Sequence, residues 1–143
     1  MTSGGDPHDP HDPDDPLGRE VWALFRALDH AGDPPAPAAA STWLTGEAGR
    51  EQDGTRVRFA LQLDGRRVIA ARFRAYGCPH TLAACEWLAR QLTGCELDAR
   101  SPAGLARGIG DPLEWSHRLA IPAAKLGCLL VIEDALRAAL ASG

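Results

Sequence analysis

The sequence predicts an α+β domain in which a small antiparallel sheet has helices packed on one face. Three observations support this class: an apolar stripe with helical spacing comes first, two alternating segments follow, and every later apolar pattern is helical. The chain has 143 residues, 45% of them hydrophobic, which suffices for one domain with a buried core.

The first helix is predicted over residues 20–29, before a segment in which one glycine and three prolines cannot continue it. Its apolar stripe comprises Val21, Leu24, Phe25 and Leu28. Residues 38–44 are expected to form an edge strand, and residues 45–55 a polar, glycine-rich loop.

The most regular pattern is a predicted hairpin of two alternating segments, residues 56–63 and 69–75, joined near Asp64-Gly65. A three-residue loop, 64–66, keeps the apolar side chains of both strands on one face. The resulting pairs are Leu61 with Ile69, Phe59 with Ala71, and Val57 with Phe73.

On the polar face, this register sets Arg58 opposite Arg72 and Arg56 opposite Arg74. Like charges that face each other directly are unfavourable. We therefore expect an acidic group next to these arginines, supplied by the N-terminal tail or by a partner. The alternative is that all four arginine side chains extend into water.

Helical spacing resumes at Pro79, and Gly94 is expected to cap this helix at its C-terminus. Its apolar face comprises Leu82, Cys85, Ala89 and Leu92. Ser101 and Pro102 are predicted to open a short helix, and residues 113–122 to form a connection. The last helix is expected to begin at Pro122 or Ala123, with a stripe of Leu129, Ile132, Leu136 and Leu140.

The N-terminal segment differs in composition from the rest of the chain. Residues 1–17 contain five aspartates, repeated prolines and no lysine or arginine. Such a segment cannot bury enough apolar surface to offset its ordering entropy. We predict a disordered acidic tail over residues 1–18, in which His8 and His11 are solvated rather than metal-binding, and a folded domain over 19–143.

Several classes of protein are disfavoured. Residues 119–132, the most apolar run, contain Pro122 and Lys125, and no signal peptide is evident, so a membrane location is not expected. Four cysteines without a signal peptide indicate reduced thiols, metal ligands or packing residues and not disulfides, and so favour the cytoplasm. No nucleic-acid-binding motif, phosphate loop or catalytic Ser/His/Asp set is present, which disfavours both a nucleic-acid-binding protein and an enzyme.

The cysteines fall into two groups. Cys85 lies on the apolar stripe of its helix and is expected to pack there, while Cys95 follows the capping glycine and has no partner at ligand spacing. Cys78 and Cys128 each lie near a predicted helix start, where the helix dipole stabilises a thiolate. From the residues alone, these two are either functional thiols or small packing residues.

The two motifs around Cys78 and Cys128 resemble the NifU/IscU-type iron–sulfur cluster assembly scaffolds, of SufE/NifU-like fold. The similarity rests on Tyr76-Gly77-Cys78 and on Lys125, Cys128 and Glu133-Asp134-Ala135 in register, and covers residues 19–141. The resemblance implies a cargo of iron or a [2Fe–2S] cluster bound by Cys78 and Cys128. It implies a cysteine desulfurase and cluster-accepting apoproteins as partners. Only residues 121–125 remain of the family's chaperone-recognition stretch, so the resemblance does not extend to a chaperone.

The chain departs from the family's ligand set in two places. The loop that carries the family's first cysteine has Asp53-Gly54 here, and Gly127 replaces the histidine beside the last cysteine. Asp53 and His80, the latter otherwise an exposed first-turn residue, are candidates to complete a four-ligand site. A site with only two thiolates favours weaker cluster binding or zinc. The alternative is a relative that binds no cluster and acts through protein contacts.

Overall fold

The structure of the protein is a computed structural model that describes residues 18–34, 43–97 and 109–142. Its elements are helix α1 (Arg19–Phe25), strands β1 (Trp43–Arg50), β2 (Thr55–Asp64) and β3 (Arg67–Tyr76), and helices α2 (Pro79–Leu92), α3 (Pro112–Arg118) and α4 (Leu126–Ala141). The predicted acidic tail up to residue 17 and the predicted short helix at Ser101 lie outside the described residues.

The three strands form one antiparallel sheet in the order β1-β2-β3, and α2 and α4 pack against it over a shared core. The predicted α+β class is therefore confirmed. The predicted stripe of the last helix is also confirmed, because Leu129, Ile132, Leu136 and Leu140 are all buried. No helix in the described part of the chain has both the length and the apolar character needed to cross a membrane.

The hairpin register differs from the prediction by two residues. Phe59 pairs with Phe73 rather than with Ala71, and Leu61 pairs with Ala71. A shift of two residues keeps each of these side chains on its face, so the buried face was predicted correctly although the pairs were wrong.

The turn and a β-bulge each account for one residue of the difference. Asp64 pairs with Arg67, so the loop is Gly65-Arg66 and the predicted three-residue loop, 64–66, was wrong. The register shifts between Gln62 and Leu63, which pair with Ala70 and Val68, so that Ile69 is the extra residue of β3. Val68 is fully buried and Ile69 is 46% exposed, so the prediction of Ile69 as a core residue was wrong.

Strand β1 occupies much of the segment that was predicted to be a loop. Its glycines suggested a loop, but Gly46 lies where α4 crosses the sheet, and a Cβ atom there would overlap the backbone of Ala135 and Ala139. Gly49 has a φ of +83°, which favours glycine. The polar glycine-rich pattern therefore marks a close helix–strand contact.

The helices differ from the predictions mainly at their ends. Helix α1 ends at Phe25, earlier than predicted, and α4 begins at Leu126 after a 3-10 turn, Ala123–Lys125. Helix α2 follows the prediction, with Gly94 at a φ of +88° just after it.

Helix α3 lies within the segment that was predicted to be a connection. Asp111 caps it by accepting a 2.9 Å hydrogen bond from the Glu114 N–H, and Pro112 occupies its first turn. Trp115 is 1% exposed and donates from Nε1 to the Ile109 carbonyl at 2.8 Å. Burial of the Trp115 side chain stabilises this helix, which has only seven residues.

Candidate functional site

Cys78 lies at the N-cap of α2, directly after β3. Its Sγ atom is 3.6 Å from Thr81 Oγ1, and its carbonyl accepts hydrogen bonds from the N–H groups of Thr81 and Leu82. The preceding glycine is required here, because a Cβ atom on Gly77 would come within 2.9 Å of Thr81 Oγ1. The thiol is half-buried at the positive end of a helix of 14 residues.

The surroundings of Cys78 favour its thiolate. Burial alone would raise the pKa of this thiol, but three hydrogen bonds and one positive charge outweigh it. The hydrogen bonds come from the Thr81 side chain and from the backbone of Thr81 and His80, and the charge is that of Lys125. The pKa of Cys78 therefore lies below its ordinary value of 9.0.

Cys128 lies in the first turn of α4, with its Sγ atom 3.5 Å from Thr55 Oγ1. Thr55 begins β2, and the next residue, Arg56, pairs with Tyr76 at the end of β3. Cys128 is thus located at the end of the sheet where the chain leaves β3 for Cys78. The effect of Lys125 on Cys78 is consistent with this, because Lys125 immediately precedes α4.

The other two predicted ligands are not assembled with the cysteines. Asp53 is in the exposed 3-10 turn between β1 and β2 and forms an ion pair with Arg50 at 3.1 Å. His80 is only 5% exposed, so the expectation that it faces solvent was wrong. The described residues contain no group of three or more His, Cys, Asp or Glu side chains able to hold a metal ion.

Cys85 and Cys95 have different surroundings. Cys85 is fully buried, as predicted, and burial together with the negative charge of neighbouring Glu86 raises the pKa of its thiol far above the ordinary value. Cys95 is half-buried, and its thiol donates to the Glu96 carbonyl at 3.8 Å.

The family of the chain follows from its sequence profile. The sequence model of one family, the NifU-like N-terminal domain, matches residues 26–142. The chain belongs to this NifU-like family. The match includes both cysteine-bearing helix starts and the whole described sheet.

Solved structures share the NifU-like fold at low sequence identity. One is a candidate iron–sulfur cluster assembly scaffold protein for the SUF system from the thermophile Fervidobacterium islandicum AW-1. It has 14% identity and a TM-score of 0.62, over 87% of this chain and 96% of that one. Another is the N-terminal part of a nitrogen-fixing NifU-like protein from Brucella abortus, with 13% identity and a TM-score of 0.58, over 87% and 92% of the two chains. No curated protein sequence matches the chain.

One buried polar cluster of this NifU-like chain was missed in the sequence. Glu86 is fully buried and accepts hydrogen bonds from the His30 N–H at 2.8 Å, from His30 Nδ1 at 2.7 Å and from Arg90 Nε at 2.7 Å. His30 lies in the linker after α1, and its side chain is partly buried against this carboxylate. One feature of the sequence could have indicated the cluster: Glu86 follows Cys85, a residue of the buried stripe, and lies four positions before Arg90.

The arginines of the sheet have acidic neighbours from the domain itself. Arg58 pairs across the strands with Arg74 rather than with Arg72. Asp33 lies between them, with its carboxylate 2.9 Å from Arg74 Nη1 and 4.0 Å from Arg58 Nη1. Arg56 forms ion pairs with Glu47 at 2.8 Å and Glu51 at 3.7 Å. Acidic groups therefore face Arg56, Arg58 and Arg74, but they come from the domain itself and not from the two predicted sources, the N-terminal tail or a partner.

The thiol environments predict an order of reactivity. Because iodoacetamide reacts with thiolates, Cys78 should be labelled first at pH 7 and Cys85 last, with Cys95 as the half-buried comparison. Since the pKa of Cys78 is lowered, its labelling rate should reach half of its plateau value below pH 9.0. Peptide mass spectrometry after timed labelling measures the order, and labelling of Cys95 before Cys78 at every pH would contradict it.

Proposed function

We propose that this chain is an assembly scaffold that holds iron or an iron–sulfur cluster transiently through the thiolates of Cys78 and Cys128. The observation that carries the proposal is that both thiols are located at one end of the sheet, each in or beside the first turn of a long helix. Family membership supports the same role. The cluster is cargo in this proposal, and the chain makes and breaks no bond in an organic substrate.

The residues around the thiols have distinct parts in the proposal. The N–H groups of α2 and Lys125 lower the pKa of Cys78 and so favour the thiolate, which is the form that binds iron or zinc. Thr55 and Thr81 each contact one sulfur and limit its rotation.

Asp53 and His80 would complete a four-ligand site only after rearrangement. Asp53 would have to leave Arg50, and His80 would have to turn out of its buried position. A site that needs these movements holds its cargo weakly, which suits transfer. The same donor set of two thiolates, one imidazole and one carboxylate also suits zinc.

The partners follow from this role. A cysteine desulfurase supplies the sulfur and apoproteins accept the cluster. All four cysteines are free, which is consistent with a location in the reducing cytoplasm.

A second candidate function is favoured by one observation. The described residues contain no assembled group of three metal-binding side chains. A relative that binds no cluster and acts through protein contacts alone would have this property. Metal analysis separates the two candidates.

The test is iron and acid-labile sulfide analysis of protein purified and reconstituted without oxygen. Cys78→Ser and Cys128→Ser should each remove most bound iron or zinc, because a thiolate ligand is lost, and the double change should add little. Cys85→Ala and Cys95→Ala are the matched controls and should retain the metal.

Two outcomes would contradict the proposal. Stoichiometric metal in the Cys78→Ser, Cys128→Ser double variant would place the site elsewhere. Wild-type protein that holds neither iron with sulfide nor zinc would leave the contact-only relative as the better account.

A further inference from the structure

Lys125 is the only lysine of the chain, whose 15 lysine and arginine side chains are otherwise all arginines. It ends the 3-10 turn Ala123–Lys125, directly before α4, and precedes Cys128 by three residues. Its charge also acts on Cys78, at the end of the sheet where the chain leaves β3. The single lysine of the protein is therefore located at the candidate site, near both thiols.

Lys125 also differs from many of the arginines in having no acidic partner. Arg90 and Arg118, for example, each have a carboxylate oxygen at 2.7 Å. Within the described residues, no carboxylate lies within ion-pair distance of the Lys125 ammonium group. An arginine fork suits an ion pair with a carboxylate, whereas an ammonium group is a compact point charge. The charge of Lys125 is therefore free to act on an anion that approaches Cys78.

A thiolate takes sulfur from a donor by attacking an S–S bond of that donor. The Cys78 sulfur supplies the electron pair of the new S–S bond, the S–S bond of the donor breaks, and the inner sulfur of the donor leaves as a thiolate with that bonding pair. The step consumes no external oxidant or reductant. Negative charge is present on the attacking sulfur, in the transition state and on the leaving sulfur, and an anionic donor adds to it. A positive charge beside Cys78 therefore helps an anionic donor more than a neutral one.

We propose that Lys125 is a specificity-determining residue for sulfur transfer to Cys78, and that it favours anionic sulfur donors, such as a persulfide, over neutral ones. The ammonium group attracts the donor and stabilises the negative charge that the sulfurs share during transfer. This effect is separate from the stabilisation of the thiolate, which speeds the reaction of Cys78 with every donor alike. The inference rests on the proposed scaffold function for the source of the sulfur, whereas the preference for negative charge requires no metal.

The probes are two aromatic disulfides of different charge: dithiobis(nitrobenzoate), which is a dianion, and dithiodipyridine, which is neutral. Each is added to the metal-free full chain with Cys95→Ala and Cys128→Ala, so that Cys78 reacts beside only the fully buried Cys85. The measured quantity is the rate constant for the anionic probe divided by that for the neutral probe. The fraction of thiolate at Cys78 cancels in this ratio, so the ratio reports the effect of Lys125 on the probe itself.

Lys125→Gln should lower this ratio about fivefold, the effect of one contact between unit charges in water. Lys125→Arg keeps the positive charge and should retain most of the ratio. Added salt should lower the ratio of the wild-type site toward that of Lys125→Gln, because ions screen the attraction. The matched control, Arg137→Gln on the exposed surface of α4, removes the same net charge and should leave the ratio unchanged.

Three results would overturn the proposal: an unchanged ratio in Lys125→Gln, an equal fall of the ratio in Arg137→Gln, or a wild-type ratio that does not respond to salt. The first would show that Lys125 acts only on the ionisation of Cys78, and the second that only the net charge of the protein matters. Because the protein is metal-free, a failure of this charge preference is distinguishable from a failure of cluster binding, which iron analysis of Cys78→Ser reports independently.

Discussion

Glu86→Ala is expected to lower the free energy of unfolding by about 3 kcal/mol, because hydrogen-bond donors lose a fully buried acceptor and each such loss costs about 1–3 kcal/mol. The carboxylate is fully buried and accepts three hydrogen bonds, two from His30 and one from Arg90. Its removal leaves the His30 N–H and Arg90 Nε without this acceptor, while Arg90 Nη2 keeps its 2.8 Å hydrogen bond to the Ala27 carbonyl. Urea unfolding followed by circular dichroism measures the change, with Glu86→Gln expected to lose less.

Glu133→Ala is the matched control for this prediction. Glu133 is also a helical glutamate four residues before an arginine, but its partner Arg137 is 53% exposed and 3.6 Å away. Such surface pairs contribute about 0.3–0.5 kcal/mol.

Hydrogen exchange near Phe73 tests whether the loss of stability comes from the Glu86 hydrogen bonds. His30 and Gly32 hold the edge of β3 at Phe73, so Glu86→Ala should speed hydrogen exchange at the Phe73 and Gly32 amides before the protein unfolds globally. Equal losses of stability in the Glu86 and Glu133 variants would show that the buried cluster has no special role.

Gly46→Val is expected to destabilise the protein by about 3 kcal/mol or more, at or above the upper end for overpacking. A side chain at this position would meet the backbone of α4, where the carbonyl carbon of Ala138 is 2.6 Å from the added Cβ atom and the backbones of Ala135 and Ala139 are closer still. Backbone atoms cannot move aside by changing rotamer, so the helix must shift from the sheet. The urea midpoint should fall while the slope of the transition stays unchanged.

Gly127→Ala provides the comparison. Gly127 is in the first turn of α4, and an added Cβ atom there has no neighbour within 4 Å. Alanine is favoured over glycine in a helix by about 1 kcal/mol, so this variant should be as stable as the wild type or slightly more stable. If Gly46→Val unfolded at the wild-type midpoint, the close packing of α4 on β1 would be wrong.

Local patterns in the sequence were enough to predict the class of fold and the buried faces of the main elements. Strands β2 and β3 each bury one face, which gives alternating apolar residues, and helices α2 and α4 each bury one stripe, which gives apolar residues at helical spacing. Both patterns can be recognised from residues that are close together in the sequence. The placement of Cys78 at a helix start was likewise readable from Gly77 and Pro79.

What the sequence could not determine depends on contacts between distant segments. A two-residue shift leaves the side chains from Ala71 to Ala75 on the predicted face, so alternation there could not reveal the bulge at Ile69. Gly46 suggested a loop because its partner is the backbone of a helix about ninety residues further along the chain.

The same distinction between local sequence and tertiary contacts applies to the candidate site. The sequence by itself determined that Cys78 and Cys128 each lie near a helix start, since the flanking residues dictate where those helices begin. Only the tertiary structure decided that both starts are at one end of the sheet, that Lys125 acts on Cys78, and that His80 is buried. The physical reason is that thiolate stabilisation and burial depend on distances through space, and these are set by how α2 and α4 pack on the sheet.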